Sequence, residues 1–350
     1  MDDRINSHST NKDIEEKIKK LDKESATVEY TGFWGKLISC ICICFSLFHI
    51  YTGFFGTFDA MIQRCIHLSF GISLVFLLCP TKNSWIREGK VHPVDLSLAI
   101  TSLIPPLYIL LNYQSLILRA GTVTQVDFII GLLGILMVLE AARRIVGWSI
   151  VCVVLLFLGY GYFGPYLPGP LAHRGLTLQQ MVSHLFFTTE GVYGIPLGVS
   201  STFIFLFILF GAYLEKTGLG KFFIDISNAI AGWASGGPAK VSVISSALQG
   251  TISGSSVANV VGSGSFTIPM MKKLGYKKDF AGAVEAAAST GGQIMPPIMG
   301  AAAFLMAEFI GVPYMSIVKA AIVPAMLYFI GVFLGVHFEA KKECLEGTPR

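Results

Sequence analysis

Charged residues are scarce in this sequence. Only 14% of its 350 residues are Asp, Glu, Lys or Arg, while 53% are hydrophobic and the mean hydropathy is +0.64. Soluble domains carry about a quarter charged residues, so this deficit excludes an ordinary soluble globular protein. Several apolar runs approach the ~20 residues that a helix needs to cross a bilayer. The composition therefore predicts a polytopic membrane protein surrounded by membrane lipid.

Motifs for catalysis and cofactor binding are also lacking. The chain has no Gly-x-Ser-x-Gly elbow, no P-loop and no His-rich metal cluster. The Cys-Ile-Cys-Ile-Cys run that begins at Cys40 has no further Cys or His at ligand spacing, and we interpret it as apolar helix surface. Basic residues are spread over short loops instead of forming one patch. We therefore predict no enzymatic activity, no cofactor and no nucleic-acid partner.

Apolar runs predict an all-α polytopic membrane protein with about eight transmembrane helices. They lie near residues 33–55, 62–79, 94–111, 128–145, 149–166, 195–213, 280–310 and 317–336. Lys and Arg concentrate in alternate loops, as the positive-inside rule requires of cytoplasmic loops. This pattern predicts cytoplasmic N- and C-terminal ends, with residues 1–31 as a polar cytosolic tail. The less apolar stretches 176–194 and 219–233 are interpreted as interfacial amphipathic helices.

The stretch GTISGSSVANVVGSGSFTIP, residues 250–269, is rich in Gly, Ser, Thr and Asn although apolar runs surround it. Basic residues flank it on both sides, at Lys240, Lys272 and Lys273. A single crossing would leave one basic end on the wrong side of the membrane, so we predict a re-entrant helical hairpin over about residues 239–271. Non-helical backbone at membrane depth persists only where protein buries it or where it lines a watery cavity.

The turn of this hairpin has the chemistry of an ion site. Freed backbone carbonyls, with the hydroxyls of Ser255 and Ser256 and the amide oxygen of Asn259, would form an all-oxygen shell suited to Na⁺. Ser253 and Gly254 complete the predicted turn, and Ser255 and Asn259 share one helix face. A helix start here also offers free N–H groups to a carboxylate. A cation and an acid could thus be held side by side, as in transporters built on broken helices.

A second break follows in AAASTGGQIMPPIMG, residues 286–300. Its two prolines remove two N–H donors and clash with the preceding turn, so a helix predicted over about residues 279–311 must open there. Taken alone, the break could be a packing kink, but directly after a re-entrant turn it points to a binding site. Ser289, Thr290 and Gln293 supply oxygens at the opening, and we count them among the candidate site residues together with the adjacent Gly291 and Gly292.

Two acidic residues in apolar surroundings receive different interpretations. Glu285 lies about one turn before the break, and ionisable groups at membrane depth are costly and point to function. It could carry protons, lie near a cation, or hold the hairpin through hydrogen bonds to free amides, and we count it among the candidate site residues. Glu140 precedes Arg143 and Arg144 at a helix end, which favours an ion pair there.

The stretches GTISGSSVANVVGSGSFTIPMMKKLGY and AGAVEAAASTGGQIMPPIMG resemble the membrane permeases of TRAP transporters, the tripartite ATP-independent periplasmic carriers of the C4-dicarboxylate type. The second is similar to fused permeases that work with TAXI-type binding proteins. The resemblance implies a small-subunit-like membrane domain with a connecting helix over residues 32–169. It implies the N-terminal half of a DctM-type large subunit over residues 170–350, the first of two inverted repeats of an elevator-type carrier.

The resemblance also implies a Na⁺ symporter of the cell inner membrane that imports an organic acid delivered by an extracytoplasmic binding protein. Its coupling ion, Na⁺, would bind at Ser255, Ser256, Asn259, Ser289, Thr290 and Gly291. The family's second hairpin and second broken helix do not occur in these 350 residues, so we expect a truncated, fragmentary or split permease whose missing half would be a partner. A stand-alone Na⁺-coupled carboxylate carrier and a non-transporting membrane fragment are the alternatives.

Overall fold

The computed structural model describes residues 28, 30, 32–81, 91–119, 121–345 and 347. All regular secondary structure in these residues is helical, which confirms the all-α fold class. Apart from positions 28 and 30, the predicted polar tail of residues 1–31 lies outside the described residues.

Seven of the described helical segments are long and apolar enough to span a membrane. They are Gly32–Phe55, Ala60–Leu78, Pro93–Leu118, Gln125–Ile145, Trp148–Tyr166, Ile195–Leu214 and Tyr314–Lys342. The other predicted span, residues 280–310, is divided into shorter helices by the break described below. The chain is therefore a multi-pass membrane protein.

The first compact unit comprises Met1–Ser201. Its helices are α1 (Gly32–Phe55), α2 (Ala60–Leu78), α3 (Pro93–Thr101), α4 (Ile104–Leu118), α5 (Gln125–Ile145), α6 (Trp148–Phe163), α7 (Leu178–Phe187) and α8 (Ile195–Val199). Capping boxes formed by Thr124 with Asp127 and by Thr177 with Gln180 begin α5 and α7, because each pair satisfies N–H groups that the first turn leaves unpaired. The sequence predicts one amphipathic helix over the stretch 176–194, but within that stretch α7 ends at Phe187.

A buried ion pair holds the first unit together at one end of α5. Arg144 lies 2.9 Å from the carboxylate of Asp95, and both side chains are almost fully buried. Arg143 and Arg144 also pair with Glu140 at 2.7 and 3.0 Å, which confirms the predicted helix-end ion pair. Because Arg144 donates in addition to the carbonyl of Cys79 at 2.9 Å, it ties the ends of α2, α3 and α5 together.

The second compact unit comprises Thr202–Arg350. Its helices are α9 (Phe205–Lys216), α10 (Leu219–Ala231), α11 (Gly237–Ser253), α12 (Ser256–Lys273), α13 (Lys278–Thr290), α14 (Ala301–Ile310) and α15 (Tyr314–Lys342). A π-helical turn at Ser200–Ile204 precedes α9. The predicted amphipathic stretch 219–233 corresponds to α10, which begins after Gly218.

Helices α11 and α12 pack against each other and form a hairpin. They contain 17 and 18 residues, so at 1.5 Å per residue the arms are about 26 and 27 Å long. Both are shorter than the ~30 Å hydrocarbon core of a bilayer. The core beneath the hairpin joins α11, α12, α13 and α15, and it contains the alanines Ala239, Ala281, Ala288 and Ala340. Such small residues allow helices to approach closely in membranes.

Candidate functional site

The turn of the hairpin packs against the break that follows α13. Gly254 ends α11 in the left-handed conformation, with φ +58°, which favours glycine. A Cβ at Gly254 would overlap the carbonyl oxygen of Met299 in the break. The break itself consists of a 3₁₀ turn, Gly291–Gln293, and irregular backbone up to Gly300, after which α14 begins. Two interruptions of helical structure therefore meet at one place.

Ser255 is the N-cap of α12. Its hydroxyl oxygen accepts a hydrogen bond from the N–H of Ala258 at 3.3 Å, which explains why the returning arm begins at this residue. Ser253 stabilises the turn, because its hydroxyl oxygen accepts a long hydrogen bond from the N–H of Ser255 at 3.4 Å. Both serines are partly buried.

A side-chain hydrogen bond joins the hairpin directly to the break. The Nε2 group of Gln293 donates to the hydroxyl oxygen of Ser256 at 2.9 Å. Ser256 and Gln293 are thus in contact although they are 37 positions apart in the chain. The sequence predicts that both belong to one site. Gln293 is exposed and Ser256 is partly buried.

Asn259 lies one turn into α12 and is fully buried. Its Nδ2 group donates to the carbonyl of Ser246 in the opposite arm at 2.9 Å, which fixes the orientation of the amide, because a flipped amide would place two oxygens against each other. Its Oδ1 atom has no hydrogen-bond partner among the described residues. The amide faces Gly292, where a Cβ would lie 3.0 Å from Nδ2. A buried amide oxygen without a donor is an available ligand for a cation.

The candidates at the end of α13 point in different directions. Ser289 is fully buried, and its hydroxyl donates to Glu285 Oε1 at 3.1 Å. Thr290 is exposed, and its hydroxyl donates to the carbonyl of Ala286 at 2.7 Å within the helix. Gly291 is buried against the rings of α15, where a Cβ would lie 2.6 Å from Phe329. The hydroxyls of Ser289 and Thr290 donate their protons, so their oxygens keep lone pairs that can bind a cation.

Glu285 is fully buried between α11, α12 and α13. Its carboxylate accepts hydrogen bonds from five hydroxyls, those of Ser242, Ser246, Ser263, Thr267 and Ser289. We predicted hydrogen bonds to free amides as one possible role, and the donors in the structure are hydroxyls. A signal for them is present in the sequence, because Ser242 and Ser246, Ser263 and Thr267, and Glu285 and Ser289 are each four residues apart and so share helix faces.

Two tyrosines of α15 that sequence reasoning did not identify support the break. The hydroxyl of Tyr328 donates to the carbonyl of Ala287 at 2.7 Å. The hydroxyl of Tyr314 donates to the carbonyls of Pro297 and Ile298 at 2.9 and 2.5 Å. These backbone carbonyls lie in or beside the interrupted helix. Each needs a hydrogen-bond donor from the protein, because water is scarce at membrane depth. No local pattern links the tyrosines to the break, because they are supplied by another helix.

An open cavity of about 310 Å³ lies beside the turn. Ser253, Ser255 and Gln249 of the hairpin contribute polar groups to the cavity. The rest of its lining is largely apolar and includes Ile208 and Phe223. Hydroxyls and an amide therefore stand at the edge of an accessible space. The arrangement suits the binding of an ion or a polar headgroup by neutral oxygen and N–H groups.

Comparison with known proteins links this region to transporters. Residues 133–350 match the family model described as "Tripartite ATP-independent periplasmic transporter, DctM component". The matched residues include the whole hairpin and the break. The chain is 30% identical over 182 residues to the C4-dicarboxylate TRAP transporter large permease protein DctM of Vibrio cholerae, which covers 51% of this chain and 38% of that relative.

Two further relatives show a similar level of identity. The protein of the same name in Pseudomonas aeruginosa is 31% identical over 144 residues, which is 41% of this chain and 33% of the relative. The isethionate TRAP transporter permease protein DctMQ of Oleidesulfovibrio alaskensis is 30% identical over 149 residues, 41% of this chain and 22% of the relative. The chain thus spans less than two fifths of each of these relatives.

Proposed function

Because this chain belongs to the DctM family of tripartite ATP-independent periplasmic transporter permeases, we propose that it is part of a Na⁺-driven permease that imports an organic acid. The permease role in the membrane follows from the family and the spanning helices. The ion, the substrate class and the direction of transport are the proposal. The names of the relatives include C4-dicarboxylate, isethionate and sialic acid, which supports an organic anion as substrate.

The observation that carries the proposal is the unpaired amide oxygen of Asn259. Unsatisfied polar atoms are rare in protein interiors and call for an explanation. This one is fully buried, and it belongs to an amide whose Nδ2 group lies beside Gly292, where the turn and the break meet. A bound Na⁺ would supply the missing partner, because hard cations prefer oxygen ligands. We propose that oxygens of Ser255, Ser256, Asn259, Ser289, Thr290 and Gly291 contribute to this site.

The substrate would be held next to the ion. The N-terminus of α12 at Ser256 carries a positive dipole end, which favours an anionic group. The exposed Gln293 amide and the hydroxyls of Ser253 and Ser255 at the cavity edge are neutral hydrogen-bonding groups suited to a carboxylate. An ion and an acid bound together would compensate each other's charge, which is a physical basis for coupled transport.

The test is Na⁺-dependent uptake by the complete transport system that contains this chain. Asn259→Ala and Ser256→Ala are expected to reduce uptake at limiting Na⁺ without loss of protein from the membrane. Ser265→Ala is the matched control, because Ser265 lies on the same helix but is exposed, and its hydroxyl donates to the carbonyl of Gly262 in its own helix. Uptake by Asn259→Ala and Ser256→Ala equal to that of the control at limiting Na⁺ would refute the site.

We further propose that the permease is a multi-pass protein of the inner membrane and works with an extracytoplasmic binding protein of the TAXI type. Omission of the binding protein from the uptake assay should then abolish transport. Full uptake without it would instead favour a stand-alone Na⁺-coupled carboxylate carrier.

A further inference from the structure

We propose that Glu285 is a positioning residue, which orients Ser246 and Ser263 and through them holds Asn259 in place. This inference rests on the proposed ion site at Asn259. Glu285 would not touch the ion or the substrate. It would set the geometry of the ligand that does.

The contacts of the carboxylate support a role other than direct ion binding. Oε2 accepts from Ser242 at 2.6 Å and from Thr267 at 2.5 Å. Oε1 accepts from Ser246 at 3.3 Å, from Ser289 at 3.1 Å and from Ser263. Five hydroxyls therefore surround the two oxygens. A cation at either oxygen would have to displace at least one of them.

The two oxygens of Glu285 differ in what they connect. Ser246 and Ser263, both on Oε1, each share a hydrogen bond with Asn259. The carbonyl of Ser246 accepts from Asn259 Nδ2 at 2.9 Å, and the hydroxyl of Ser263 lies 2.8 Å from the carbonyl oxygen of Asn259. Their hydroxyls also lie 3.2 Å from each other. Oε1 is therefore one residue away from Asn259, and it also accepts directly from Ser289, another proposed ligand.

The residues on Oε2 stabilise the same carboxylate, and their own hydrogen bonds go to groups other than Asn259. Ser242 lies in α11, four residues before Ser246, and Thr267 lies in α12, four residues after Ser263. The hydroxyl of Thr267 is 3.1 Å from the carbonyl of Ser263 in its own helix. Loss of one hydroxyl from Oε2 removes as many hydrogen bonds to Glu285 as loss of one from Oε1. This gives a comparison that separates positioning from general stabilisation.

The experiment is a Na⁺ titration of the thermal unfolding midpoint of the purified full chain in detergent, with choline replacing Na⁺ at constant ionic strength. Glu285→Gln keeps the shape of the side chain but removes acceptor capacity. Ser263→Ala removes a hydroxyl on Oε1, the shape-matched Thr267→Val removes one on Oε2, and Ser265→Ala is the exposed control.

We expect Glu285→Gln and Ser263→Ala to raise the Na⁺ concentration for half-maximal stabilisation about tenfold, as loss of residues that orient metal ligands does. Thr267→Val should lower the midpoint without Na⁺ but leave the Na⁺ dependence close to wild type, and Ser265→Ala should change neither. If Glu285→Gln does not fold, Ser246→Ala against Thr267→Val decides the question, because alanine at position 246 keeps the carbonyl that contacts Asn259 and loses the hydroxyl on Oε1.

Equal Na⁺ dependence in Ser263→Ala, Thr267→Val and wild type would overturn the inference and leave the proposed ion site intact. A wild-type protein whose midpoint does not respond to Na⁺ would overturn the ion site, and the inference with it. The two failures are therefore distinguishable in one series.

Discussion

Gly250 of α11 and Gly292 of the break are in direct backbone contact. A Cβ on Gly250 would lie 2.5 Å from the Cα of Gly292, and a Cβ on Gly292 would lie 3.1 Å from the Cα of Gly250. A side chain at Gly250 would push the two segments apart, and one at Gly292 would displace its neighbours by a few tenths of an ångström. The hairpin and the break therefore pack backbone against backbone at these two glycines.

Gly250→Ala should destabilise this structure by about 1–3 kcal/mol, as other insertions of a methyl group into packed regions do. Gly282→Ala is the matched control, because Gly282 lies in α13 and a Cβ added there would have no neighbouring atom within 4 Å. Alanine there should be neutral or stabilising by up to about 1 kcal/mol, since it favours the helix. Thermal unfolding in detergent measures both, and equal midpoints for the two variants would contradict the contact.

Tyr328→Phe should lower stability by about 1 kcal/mol, the net contribution of a typical hydrogen bond. The variant keeps the ring that packs on Gly291 but leaves the carbonyl of Ala287 without its partner. Tyr213→Phe serves as the control, because Tyr213 is 65% exposed. A midpoint for Tyr328→Phe that matches the control would show that the hydroxyl does not support the break.

Local chemistry explains why the hairpin and the break could be predicted from sequence. Gly254, the N-cap Ser255 and the pair Gly291 and Gly292 change the backbone at their own positions, so the signal is local. The predicted range of 239–271 lies within the helices Gly237–Ser253 and Ser256–Lys273. The sequence predicts that Ser256 and Gln293 belong to one site, but it does not predict the hydrogen bond between them. That bond depends on how the hairpin and the break pack.

The environment of Glu285 could not be predicted in the same way. Its donors come from three helices, and four of them lie 18 to 43 residues away in the chain. The four-residue spacing in each helix is visible in the sequence, but which faces meet depends on packing. Asp95, the buried partner of Arg144, was missed for the same reason, since it lies 49 residues away.

In the first unit, Arg144→Gln should destabilise the protein by about 3–5 kcal/mol, because it leaves the buried carboxylate of Asp95 without its counter-ion. Arg143→Gln removes the neighbouring positive charge, which is 22% exposed and pairs with Glu140. Its cost should be within about 1 kcal/mol. Unfolding midpoints of the two variants test the difference, and a larger loss in Arg143→Gln would contradict the burial of the Arg144 pair.

Direct binding of radioactive sodium to the purified chain tests whether a cation binds at the unpaired Asn259 oxygen. We expect saturable binding to wild-type protein and to Ser265→Ala, with binding to Asn259→Ala weakened about tenfold or more. Saturable binding of equal affinity in Asn259→Ala, or no saturable binding to wild type, would contradict it.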